Sequence, residues 1–122
     1  MEKEALPVVT IKEFTPVTSS QEIARSFKVE HKSVLTAFDH MKLKYGEYFK
    51  KTFYIEIYEP KQRIFVIDRH GFDFLLLKLR VKDGLVALVR YCQAFDLAKE
   101  KAHQKLYAKQ LSEMDTKLYK MQ

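Results

Sequence analysis

Cysteine occurs once, at Cys92. One thiol excludes an intrachain disulfide and a thiolate-rich zinc site. Cys92 falls in an apolar helical pattern with Leu88, Val89 and Phe95, where a buried, inert thiol is expected. No apolar run is long enough to span a bilayer; the longest, Leu85 to Val89, is five residues, and Phe74 to Leu77 is four. No basic segment followed by an apolar stretch opens the chain, so no signal peptide is expected, and the location expected is the cytoplasm. No internal repeat or low-complexity segment is present.

Catalytic and metal-binding signatures are also missing. There is no G-x-S-x-G, no P-loop and no dinucleotide fingerprint. None of the four histidines, His31, His40, His70 and His103, pairs at i, i+4 with another, and no Cys/His cluster exists. His31 and His40 are over two helical turns apart. Asp68 and Asp73 flank His70, but a helix cap and a surface carboxylate account for them. The expectation is a protein that is not an enzyme and has no cofactor and no metal.

What is present is apolar bulk and positive charge. Hydrophobic residues make up 47% of the 122 residues and aromatics 13%. A chain of this size can bury about two-thirds of the surface its unfolded form exposes, enough for one core. Lys and Arg number 22 against 16 Asp and Glu, a net charge of +6, which suits a polyanionic partner.

The most informative segment is residues 18–45. Ser19 and Glu22 form an S-x-x-E start just before Ile23 and Phe27. Lys28-Val29-Glu30 is a turn, with Val29 placed to plug the gap between two helices. Val34, Leu35, Phe38, Met41 and Tyr45 recur at helical spacing in the second helix, and Gly46 is expected as its C′ residue. Before this segment, Val8 to Phe14 alternates as a strand that Pro16 ends. After it, Thr52 to Tyr58 and Ile64 to Ile67 read as a hairpin around a Glu59 to Arg63 turn. Asp68 caps the next helix, Gly71 near its start being no obstacle, and Lys82-Asp83-Gly84 breaks the chain. From Leu85 to about Met121 there is neither Pro nor Gly, so one long helix is expected.

Two helices, a tight turn and a hairpin are the layout of a winged helix-turn-helix. The fold expected is α+β, a winged helix-turn-helix with a β-hairpin wing and a long C-terminal helix. Residues 1–83 form the DNA-binding domain. Residues 84–122 form the helix, its first half packed on the domain. Its second half carries Tyr107, Leu111, Met114, Leu118 and Met121 at alternating spacings of four and three, an a/d seam that can serve a homodimer or fold back on its own domain.

With these pieces in order, the chain resembles the phage regulatory protein Rha family. The resemblance runs from about Val17 to Lys101. It rests on Val17-Thr18-Ser19-Ser20, His31-Lys32-Ser33-Val34-Leu35, Asp68-Arg69-His70-Gly71-Phe72 and Tyr91-Cys92-Gln93-Ala94-Phe95. The family usually shows Thr-Arg-Asp-Gly-Phe at the third stretch, where Asp68 keeps the capping role of the Thr. The wing is shorter than the family's usual one. The resemblance implies a phage or prophage regulator that binds double-stranded DNA; it implies no catalytic residue.

In that arrangement the start of the second helix reaches base edges. His31, Lys32, Ser33, Thr36 and His40 are the candidates, with the small Ala37 letting the backbone approach. Arg25, Lys28, Lys61 and Arg63 are the phosphate candidates around the turn and wing, joined by Lys50 and Lys51 at the hairpin entrance. The second reading, from another class, is a protein-interaction module or antirepressor-like protein that uses the same scaffold to bind a host or phage protein.

Overall fold

The computed structural model describes residues 6–79 and 84–120, with side chains to residue 116. In chain order the elements are β1 (Thr10–Lys12), β2 (Thr15–Ser19), α1 (Ser20–Phe27), α2 (His31–Lys44), α3 (Gly46–Phe49), β3 (Tyr54–Glu59), β4 (Gln62–Asp68), α4 (Arg69–Lys78) and α5 (Leu85–Lys120). The strands form one antiparallel sheet in the order β1-β2-β4-β3. The architecture is therefore mixed α+β, with a long C-terminal helix.

The first strand departs from expectation. Pro16 does not end it; Pro16 lies inside β2, opposite Ile11 of β1. Its missing N–H is tolerated because β2 begins to pair with β4 only at Val17. The turn between β1 and β2 is Glu13-Phe14, with φ of 50° and 66°. A two-residue hairpin turn of this kind needs positive φ at both central positions, normally met by Asn-Gly. No glycine, asparagine or proline marks the spot, so composition gives no warning of it.

Ser19 caps α1 by accepting the Glu22 N–H at 3.1 Å. The Glu22 carboxylate reaches elsewhere, to the Val8 N–H at 3.1 Å and to the Arg25 guanidinium. Lys28 ends α1 in the left-handed region, φ 55° and ψ 45°. Val29 then tucks against the core, its N–H bonded to the Ala24 carbonyl at 3.0 Å.

Gly46 is not the C′ residue of α2. It has no positive φ and opens the one-turn helix α3, which buries Phe49 against Phe38 and Tyr54. The β3–β4 hairpin is tighter than expected: Glu59 pairs with Gln62, leaving only Pro60-Lys61 in the turn. Arg63 is therefore a strand residue opposite Tyr58.

Asp68 uses both carboxylate oxygens. One accepts the Gly71 N–H at 3.0 Å and caps α4; the other accepts the Phe53 N–H at 3.1 Å. Gly71 is a requirement of the packing. A Cβ there would lie 2.4 Å from the Ile67 side chain and 2.5 Å from that of Thr52. The break expected at Lys82-Asp83 lies outside the described residues.

The core is aromatic. Phe38 stacks on Phe65 with centroids 4.0 Å apart, and Tyr91 stacks on Phe27 and meets Phe72 and Phe95. Tyr91 and Phe95 come from α5, which also buries Ala94, Ala98 and Ala102. These small side chains let α5 lie close to β1 and β2. A 36-residue helix is about 54 Å long, so its far end runs past the sheet.

Candidate nucleic-acid interface

The helix α2 has three sides. Val34, Ala37, Phe38 and Met41 are buried. A second side faces the β3–β4 hairpin, and the third turns outward. The hydrophobic stripe fixes this orientation, and the polar residues follow from it.

On the hairpin side, charges are paired. The Arg63 guanidinium bonds to both Asp39 carboxylate oxygens, one at 2.8 Å, and to Glu56 at 2.7 Å. Lys42 bonds to Glu56 at 2.8 Å and sits over the Phe38 ring, 4.7 Å from its centroid. The Arg63 hydrogen bond holds the Asp39 carboxyl below its ordinary value. At Glu56 burial opposes ionisation, but the bonds from Lys42 and Arg63 outweigh it and lower the pKa. Hydrogen bonding to Asp39 raises that of Arg63.

His31 also turns toward this side. Its Nε2 lies 2.8 Å from the Ser20 hydroxyl, which in turn accepts the Phe65 N–H at 3.1 Å. One imidazole thus joins the starts of α1 and α2 to β4. Burial lowers the His31 pKa, favouring the neutral ring.

The outer side is different. Lys32, Ser33 and Thr36 are exposed, and His40 is half-buried with an Nδ1 that has no partner among the described residues. These four line a groove of about 450 Å³ floored by Val29, Ala37 and Leu79. Lys78, from the last turn of α4, stands on its far wall. Thr36 is exposed and donates its hydroxyl to the Lys32 carbonyl at 2.9 Å. No motif in the sequence places Lys78 here. Its place beside α2 depends on how α4 packs, and no local pattern carries that.

The remaining cations spread around this surface. Lys28 is exposed in the α1–α2 turn, and Arg25 is paired with Glu22. Lys61 is exposed at the hairpin tip, whereas Arg63 is held back among carboxylates. Lys50 bonds to Glu47 at 3.2 Å, and Lys51 is exposed.

On α5, Tyr107, Leu111 and Met114 are 64%, 42% and 57% exposed, so the chain's own domain does not cover that part of the seam. Met121 and the side chain of Leu118 lie outside the described residues. Among the described residues, no helix is long and apolar enough to cross a membrane, and no three His, Cys, Asp or Glu side chains converge as a metal set would. No family model, curated protein or solved structure matches this chain.

Proposed function

We propose that this chain binds double-stranded DNA as a regulatory protein of the phage or prophage Rha type, through a winged helix-turn-helix in which α2 enters the major groove. The observation that carries this reading is the outer side of α2. Lys32, Ser33 and Thr36 stand exposed on one face of a helix whose other faces are fixed by the core and the hairpin. Lys, Ser and Thr at the start of such a helix match the donors and methyl groups that base edges accept. The order β2–α1–α2–α3–β3–β4, with β2 paired to the second arm of the hairpin, supports the same reading. Lys28, Lys61 and Lys78 flank the face and supply phosphate contacts.

The exposed stripe of Tyr107, Leu111 and Met114 supports a homodimer, which would match a two-fold DNA site. Sedimentation of the full chain beside a Leu111→Glu variant tests the dimer. Amide shift mapping with a DNA duplex tests the interface: shifts are expected at residues 28–40, 61 and 78. Shifts confined to other surfaces would overturn the assignment.

One observation favours the protein-interaction reading. Leu43 on α2 and Leu77 on α4 are 89% and 85% exposed, and nearly bare leucines suit a protein partner. Leu43→Ser with Leu77→Ser separates the two: DNA binding should survive it, and partner binding should not.

A further inference from the structure

We propose a second binding site, for a small aromatic monocarboxylate, in the cleft between the β1–β2 turn and α5. This site is independent of the DNA reading. The cleft encloses about 230 Å³. That is below the range of about 300–1,000 Å³ of drug-sized pockets and suits one ring with one acidic substituent.

Its chemistry is two-sided. Phe14, Phe95, Pro16 and Ala102 give it an apolar wall, and Arg69, Lys99 and His103 line the rest. No carboxylate lines it among the described residues. Arg69 is held by Asp96 at 2.8 Å, with its guanidinium 5.9 Å from the Phe95 ring centroid. Lys99 and His103 are exposed, one helical turn apart on α5. A flat ring can lie against Phe14 and Phe95, and its carboxylate reaches Lys99 and, in competition with Asp96, Arg69.

Glu13 and Phe14 both take positive φ, as the two-residue turn between β1 and β2 requires. Its effect is to hold the Phe14 ring over α5, where Lys109 lies 5.4 Å from the ring centroid. The small, buried Ala102 leaves the space open.

The test is a titration of the full chain with benzoate, followed by amide proton–nitrogen correlation spectra, with benzyl alcohol and acetate in parallel. Saturable shifts at residues 14–16, 69 and 95–103 are expected, with affinity in the millimolar range or tighter and about tenfold weaker for either control. Lys99→Glu, at an exposed position, should weaken benzoate by about tenfold or more without disturbing the fold. Ala102→Leu should fill the cleft and abolish binding, and if that variant fails to fold, Lys99→Glu alone decides. Absence of saturation by about 10 mM, equal binding of benzyl alcohol, or indifference to Lys99→Glu would each overturn the site.

Discussion

Thr18 and Tyr91, 73 residues apart in sequence, meet in the core with their oxygens 3.0 Å apart. Thr18 gives its proton to the Val8 carbonyl at 3.1 Å, so Tyr91 donates to Thr18. The pair ties β2 to α5 and seats the long helix on the sheet. Burial raises the Tyr91 pKa above its ordinary value.

Tyr91→Phe should therefore cost about 1 kcal/mol, since it leaves the Thr18 oxygen without its donor. The raised pKa means the native state keeps its phenol proton longer than the unfolded chain does. Its stabilising share is full below the ordinary tyrosine value of 10.0 and is lost as pH rises through the native value. Denaturant unfolding of both forms at neutral and alkaline pH checks this; equal stabilities throughout would remove the hydrogen bond from the account.

Lys28 holds a left-handed conformation at the end of α1. Lys28→Gly should raise stability by about 0.5–1 kcal/mol by relieving that strain. The same change should weaken DNA binding slightly by removing a phosphate contact. Stability and affinity moving in opposite directions is the signature to look for in melting curves and binding isotherms run side by side.

His31 gives the fold a mild acid sensitivity. Its native pKa is lowered from the ordinary 6.5 by burial, so the unfolded chain binds more protons as the solution is acidified. The stabilisation is full above 6.5 and falls as pH drops through the lower native value. Against His31→Gln, the wild type should lose more of its melting temperature between about pH 7.5 and about pH 5.5. Parallel losses in the two proteins would show that the His31–Ser20 contact carries no such linkage.

Lys61 and Arg63, two residues apart, should behave differently. Lys61→Ala removes an exposed cation at the hairpin tip and should lower affinity alike for all DNA sequences while flattening the salt dependence. Arg63→Ala removes one of the two cations that Asp39 and Glu56 share and leaves them only Lys42. About 1–2 kcal/mol of stability should go with it, given partial exposure. Thermal melts and salt titrations of the two variants separate the roles.

Much of the fold was legible because it is written locally. Ser19 and Asp68 announce caps, Val34, Phe38 and Met41 announce the buried face of α2, and the absence of Pro and Gly after Gly84 announces α5. Tyr45, expected on that buried face, instead ends α2 at the surface. The β1–β2 hairpin was hidden because its turn, Glu13-Phe14, contains no residue that favours positive φ. Gly46 misled because a glycine after a helix usually caps it, whereas here it starts another turn. At the candidate interface, the polar face of α2 could be read from spacing. The inward direction of His31, the capture of Arg63 by Asp39 and Glu56, and the arrival of Lys78 beside α2 all depend on tertiary packing.

The central claim is that the outer face of α2 binds DNA, and a salt-dependent anisotropy titration tests it most directly. The full chain and a Lys32→Ala/Thr36→Ala variant are titrated against a duplex from upstream of the chain's own gene and against an unrelated duplex. Both substituted side chains are exposed, so the variant should melt like the wild type. The wild type should prefer the upstream duplex and lose affinity steeply and linearly on a log–log plot against salt. The variant should lose that preference and about tenfold or more in affinity. Weak binding that is independent of sequence and equal in both proteins would contradict the claim.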